Sequence, residues 1–278
     1  MKRISILFTC FLFTICSFAQ LHYAIVGTYK GKSAQGMAIW GDNAYLFNDG
    51  GHCRVLNLMS GKVQREFDLA SAGKNTHVNA ACFGSEFSNG NGPLIYISEY
   101  NSPSRCFVEC VGDTGSSLVQ TIQAQDNMKN RFVQAWAIDT KRQYLYAIAR
   151  KAPQKGMTRN INVEIVQYRL PSLTEGANVI LTDEQILSVF EVPFHNGVQG
   201  AKIKGKYLYI VTGLQEASRG EINAERAIQV VNLKQQKLVT SIDLTYVTTN
   251  EPEDIDFYKG KCLLYCGQNG GIYQINVK

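Results

Sequence analysis

Five times in this chain a carboxamide or carboxylate residue, usually followed by a small one, opens an apolar strand-like run that a second such run follows. The copies begin at Gln35-Gly36-Met37, Asn79-Ala80-Ala81, Gln134-Ala135-Trp136, Gln199-Gly200-Ala201 and Glu253-Asp254-Ile255. The first unit reads as four short strands between Gln35 and Leu69, separated by turns at Gly41-Asp42, Asp49-Gly50-Gly51 and Ser60-Gly61-Lys62. Each turn carries the Gly, Asp, Asn or Ser that tight backbone geometry favours. No long apolar run with a 3.6-residue period interrupts the pattern, so the unit reads as an antiparallel meander.

The repeat starts lie 44, 55, 65 and 54 residues apart. That spacing suits four-stranded units arranged radially, with loops of varying length. The second unit carries a Gly/Ser/Asn-rich insertion at 84–92. The third has a basic loop at 150–160 and, within 171–184, room for a helical turn. The fourth has a polar loop at 213–226. The fifth has three strands only, over 253–258, 261–266 and 272–277, whereas the chain carries an unassigned strand over 22–28. Pairing the two completes the last unit and removes an open sheet edge. The expected fold is therefore all-β, a five-bladed β-propeller of four-stranded antiparallel blades with the last blade closed by the N-terminal strand. A β-sandwich would share the turn spacing but not the register of the repeats.

The first 20 residues combine Lys2 and Arg3, an apolar run and the triplet Ser17-Phe18-Ala19, which reads as a cleavable bacterial signal peptide over 1–19. A single propeller domain would then occupy 20–278, periplasmic or secreted. Removing Lys2 and Arg3 from the 28 basic residues leaves 26 against 23 acidic ones, a formal +3. That is too mild to imply nucleic acid. No later apolar run is long enough to span a bilayer. Six cysteines follow the signal: Cys53, Cys82, Cys106, Cys110, Cys262 and Cys266. Within RCFVEC and CLLYC the two thiols stand four residues apart, about 13 Å along one strand, too far to bridge each other. No CxxC cluster of the zinc type is present. An even count in an oxidising compartment permits disulfides, with 15 pairings open, but most of the six are expected to serve as small core hydrophobes.

The stretch QGMAIWGDNAYLFNDGGHCRVLNLMSGKVQREFDL resembles a blade of secreted propellers of the glutaminyl-cyclotransferase-like and NHL or YncE-like families. The stretch EPEDIDFYKGKCLLYCGQNGGIYQINV is similar to the closing blade of teichoic-acid-protein-type and phage-receptor-binding propellers. The resemblance covers most of the chain after the signal. It implies architecture and says little of activity.

In such a fold Gln35, Asn79, Gln134, Gln199 and Glu253 would ring the mouth of the central channel. Around them would lie loops 48–52, 99–105, 150–160, 213–226 and 267–271. Ligand contacts are expected from the ring together with His52, His77, Trp136 and Arg159; a ring that only satisfies backbone groups at blade junctions would show the same repeat. His52, His77 and His195 fall on the same face, but in different blades, so no metal site is expected. The chain calls for no cofactor, although a polar funnel could hold a divalent cation. Arg150, Lys151, Lys155 and Arg159 make the third loop basic.

Catalytic signatures are thin. No GxSxG, Walker, HExxH or dinucleotide fingerprint occurs. Of the inner strands, only the fifth reads as acidic, with Glu253, Asp254 and Asp256, whereas glycoside hydrolysis needs carboxyls facing each other across the substrate. Two readings stay open. One is a non-catalytic exported propeller binding a glycan, peptide or protein partner, with a monomer expected. The other is a carbohydrate-active hydrolase or lyase, or a glutaminyl-cyclotransferase-like enzyme, with Glu253 the first catalytic candidate and Asp49, Glu99, Glu216 or Glu251 as possible loop partners.

Overall fold

The computed structural model describes residues 22–25, 33–73, 76–88, 92–100, 103, 105–125, 131–151, 162–194, 197–213, 226–245, 247–267 and 271–277. They form five sheets, in each of which the first strands run outward in chain order. The first blade is β2 (Ala34–Trp40), β3 (Asn43–Asn48), β4 (His52–Asn57) and β5 (Lys62–Asp68). The second is β6 (Val78–Phe87), β7 (Pro93–Glu99), β8 (Cys106–Val111) and β9 (Ser116–Ala124). The third is β10 (Arg131–Asp139), β11 (Tyr144–Lys151), β12 (Asn162–Arg169) and β14 (Ser188–Pro193). The fourth is β15 (Val198–Lys204), β16 (Tyr207–Thr212), β17 (Ala227–Asn232) and β18 (Lys237–Asp243). The fifth is β19 (Pro252–Tyr258), β20 (Lys261–Cys266) and β21 (Gly271–Ile275), and its outer edge is β1 (His22–Ile25), antiparallel to β21. The protein is a five-bladed β-propeller closed by its N-terminal strand.

Five hydrophobic clusters hold the ring together, one between each pair of neighbouring blades. Phe47 and Val55 meet Ile95 and Phe107 between blades one and two. Tyr96 and Cys106 meet Trp136 and Tyr168 between two and three, and Ile148 and Ile165 meet Ala201 and Ile210 between three and four. Val211 and Ile228 meet Ile255 and Leu264 between four and five, and Met37 and Leu46 meet Leu263 and Tyr265 between five and one. Because each blade is covered on both faces, its middle strands read as continuous apolar runs such as Leu94-Ile95-Tyr96-Ile97, without the alternation of a half-exposed sheet. The last inner hairpin is as tight as its sequence requires. Tyr258 pairs with Lys261 across two residues, Lys259 at φ 46° and Gly260 at φ 83°, the left-handed pair of a primed turn.

All six described cysteines are buried and free. Burial lifts the thiol pKa of Cys82 and of Cys262 to about 12, so they are inert core residues.

Two features differ from the pattern read along the chain. The 171–184 segment forms two short 3-10 turns, Leu173–Glu175 and Asp183–Gln185, and between them a strand, β13 (Asn178–Leu181). β13 pairs in parallel with β9, so blade two gains a fifth strand from the excursion of blade three. The other difference is two further inner-strand acids away from the mouth: the half-buried Glu86 near the end of β6, and Asp139, which closes β10, where it is buried and bonds Arg142 at 2.6 Å. The reading of blade five as the only acidic inner strand is corrected accordingly.

Candidate functional site at the channel mouth

The inner strands β2, β6, β10, β15 and β19 neighbour one another around the axis and start at the same end of the ring. Second strands return to that end. Thus Asp49 N donates to Ser33 O, Tyr100 N to His77 O, Gly213 N to Gly197 O and Gly267 N to Glu251 O, each acceptor standing two residues before a repeat residue.

Each repeat residue sits at a β-bulge. Pairing of inner and second strands slips between Ala34 and Met37, Val78 and Ala80, Val133 and Ala135, Val198 and Gly200, and Pro252 and Asp254. The extra residue breaks the two-residue period. As a result Ala34 and Met37 face one core cluster, as do Val78 and Ala81, Val133 and Trp136, and Val198 and Ala201. Gln35, Asn79, Gln134, Gln199 and Glu253 are thereby released from the ladder, and all five are buried.

The residue after each repeat position is Gly36, Ala80, Ala135 and Gly200 in the first four blades and Asp254 in the fifth. Four small residues leave room on the axis, and Asp254 fills it. Its Oδ2 accepts Met37 N at 2.8 Å and Ala81 N at 2.9 Å, from blades one and two, and Oδ1 accepts Ile255 N at 2.8 Å. A β-carbon on Gly200 would stand 2.2 Å from Asp254 Oδ1 and 2.6 Å from Glu253 O. Burial pushes the Asp254 pKa well up, and the three N–H bonds oppose it. Two residues on, Asp256 Oδ2 accepts Ile39 N and Lys202 Nζ, both at 2.8 Å. Burial opposes the charge on Lys202, but Asp256, through its charge and its hydrogen bond, holds its pKa above the ordinary value. The two inner-strand aspartates are thus bound into the scaffold.

The ring above them is different. Asn79 Nδ2 donates to Gln134 O at 2.7 Å and, across the axis, to Val198 O at 3.3 Å. Gln199 Nε2 donates to Gly213 O at 3.0 Å and Glu251 Oε1 at 2.6 Å. Among the described residues, Gln35 Oε1, Asn79 Oδ1, both amide atoms of Gln134 and Glu253 Oε2 have no hydrogen-bond partner. Burial, with Glu251, Asp254 and Asp49 adding like charge, raises the Glu253 pKa well above the ordinary 4.5. In its protonated form Glu253 is neutral and a donor.

Beside the ring lies an aromatic ledge that the sequence did not single out. Tyr100 lies 5.5 Å from His77 with the rings tilted at 46°, and edge-on at 5.2 Å against Phe132, all three partly exposed. The buried Glu99 next to it takes a two-point bond from Arg105, at 2.6 and 2.9 Å. The signal was present: His77 and Phe132 each stand two residues before a repeat residue.

His52 lies on β4, where it bonds Asp68 at 2.7 Å and Glu66 at 2.9 Å. Burial works against its charge, but these two bonds outweigh it and raise the pKa. Trp136 is 1% exposed within the core between blades two and three, because the bulge at Gln134 turns it inward. Arg159, Lys155 and His195 lie outside the described residues, as do Glu216 and most of loops 150–160 and 213–226. Among the described residues no group of three or more His, Cys, Asp or Glu side chains is placed to hold a metal ion.

No protein-family model matches the sequence, and no curated protein does. Among solved structures, the chain is similar to Raptor of Chaetomium thermophilum, at 12% identity and a TM-score of 0.46. The match covers 92% of this chain and 21% of Raptor, so the chain spans about a fifth of that protein's length. The propeller architecture stands on the sheets themselves, without support for any one of the families that the blades resemble.

Proposed function

We propose that this chain is an exported, non-catalytic binding propeller that holds the polar end of a glycan, or failing that of a peptide or protein, at the channel mouth. Propellers commonly mediate binding, and the observation that supports this use is the set of unpartnered ring atoms. Buried polar groups nearly always find partners, and an unmade bond costs about 1–3 kcal/mol. Gln134 has neither amide atom bonded, so it can turn to a ligand hydroxyl without breaking anything. The ring supplies acceptors on Gln35, Asn79 and Gln134 and donors on Gln134 and protonated Glu253. That neutral mixture matches saccharide hydroxyls, and the His77–Tyr100–Phe132 ledge offers rings for a sugar to rest on. The signal-type opening at 1–19 supports export.

The test is a thermal-shift and calorimetry screen with maltotriose, chitotriose, xylotriose and short peptides, on the natural chain and on Gln134→Met. At least one probe should raise the melting temperature of the natural chain and lose that effect in the variant. Unchanged melting with every probe, or equal binding by the variant, would overturn the reading.

A second reading rests on Glu253 itself. A buried carboxyl with raised pKa close to Glu251 and Asp49 has the character of a general acid beside potential partners. If the chain hydrolyses or cleaves a glycan, Glu253→Gln should abolish turnover without lowering the melting temperature; retained turnover removes Glu253 from that role.

A further inference from the structure

The end of the ring opposite the mouth has a charge and polarity of its own. Three inner hairpins emerge there, at 140–143, 205–206 and 259–260, contributing Lys141, Arg142, Lys206 and Lys259 and no carboxylate. Lys204 and Lys261 flank them, and all five lysines are exposed. The hairpins are stitched to one another. Arg142 Nη1 donates to Gly205 O at 3.0 Å, Lys204 Nζ to Gly260 O at 3.4 Å, and Lys259 Nζ meets Asp42 Oδ1 at 3.0 Å. The acids nearest this surface in blades three to five, Asp139 and Asp256, are buried and committed to Arg142 and Lys202. The exposed Glu175, Asp183 and Glu184 belong to the excursion that carries β13 to blade two's outer edge.

Blades one and two present something different at the same end: large apolar side chains at turn tips, with Asp42, Glu86 and Asp113 among them. Met59 is 67% exposed, Phe87 61% and Trp40 42%. Trp40 and Phe87 meet edge-on at 6.0 Å, and Lys259 Nζ reaches Met59 Sδ at 3.4 Å, so the apolar tips run directly into the basic hairpins. Lysines with interleaved rings continue the surface, Lys204 lying 4.0 Å over Phe257 and Lys206 5.2 Å over Tyr207.

We infer that this end of the propeller docks on an anionic phospholipid surface, with the lysines of blades three to five against the headgroups and Trp40, Phe87 and Met59 entering the interfacial layer. Charge complementarity carries the choice of partner. Lysine, a mobile point charge, suits a diffuse anionic plane better than two-point recognition of one fixed phosphate. Tryptophan and phenylalanine at hairpin tips belong at a membrane interface, where one side of the ring is apolar and the other wet. A soluble polyanion would use the lysines but leave the apolar tips in water. Each lysine near an anionic bilayer strengthens binding about fivefold. This surface is separate from the mouth, so its test stands or falls apart from the ring.

The chain has two tryptophans, Trp40 at this surface and Trp136 in the core, so emission reports on docking directly. Vesicles of phosphatidylcholine with about one third phosphatidylglycerol should sediment the signal-less protein and shift Trp40 emission to the blue, and salt should release it. Lys206→Gln with Lys261→Gln should weaken binding about 25-fold, and Trp40→Ser with Phe87→Ser should weaken it with the lysines intact, both variants melting like the parent. Equal binding to pure phosphatidylcholine overturns the proposal. Capture by heparin with no vesicle binding also overturns it, and would assign the lysines to an acidic polymer.

Discussion

Asp254 Oδ2 accepts the backbone N–H of Met37 at 2.8 Å, across 217 residues of sequence, and the same oxygen accepts Ala81 N. One carboxylate of the last blade therefore fastens the first and second blades at the axis, where the closing hydrophobic contacts give way to backbone. Asp254→Ala should leave these buried N–H groups unmade and destabilise the fold by about 3 kcal/mol or more. The check is a drop in urea midpoint at unchanged slope.

Gly200 faces the same carboxylate from blade four. Gly200→Ala would press its methyl against Asp254 Oδ1 and Glu253 O, a strain of about 1–3 kcal/mol. The double variant with Asp254→Ala should lose less stability than the two losses summed, because part of the clash goes with the carboxylate. A strictly additive double-mutant cycle would contradict the axial packing.

Glu253 predicts a pH dependence whose sign follows from its raised pKa. Folding favours the protonated form, so the native state binds more protons than the unfolded chain above about pH 4.5. Its stabilising contribution is complete below that pH and is lost as pH rises toward the folded pKa, at up to about 1.4 kcal/mol per pH unit. Glu253→Gln keeps the neutral shape and removes the titration. It should match the natural chain near pH 4 and exceed it in stability at higher pH, as read from melting temperatures across the range.

The six buried thiols should be silent in the native state. In a chain beginning at Gln20, Ellman's reagent is expected to titrate none of them until denaturant is added and then all six. A reductant should leave the melting temperature unchanged. Rapid native reaction at Cys53 or Cys106, whose pKa burial lifts well above the ordinary thiol value, would count against the packing between blades one and two or two and three.

The fold was legible because the repeat residue recurs at one structural position, the bulge near the start of every inner strand, second in four of them and fourth in β10. The bulge at that position is legible in the apolar spacing too: Val78 to Ala81, Val133 to Trp136 and Val198 to Ala201 are three apart, where a regular strand would place them two or four apart. On a regular two-residue period Trp136 reads as a mouth residue, whereas the bulge points it into the core. Asp254 was visible as an acid but not as the axial fastening, since its partners are main-chain N–H groups of residues 217 and 173 positions away. β13 escaped notice because Asn178-Val179-Ile180-Leu181 is too short to stand alone and pairs outside its own repeat. The His77–Tyr100–Phe132 ledge joins three separate segments, a proximity that only the closed ring creates.

The strand that blade three places on the edge of blade two limits how this protein can be rearranged. A gene that exchanged its third repeat for a relative's would strip a neighbour of its outermost strand and bare the β9 edge, so recombination at repeat boundaries should succeed more readily elsewhere in the ring. Stretched from its ends, the molecule should yield these two repeats in one step, as a single mechanical unit of about 115 residues.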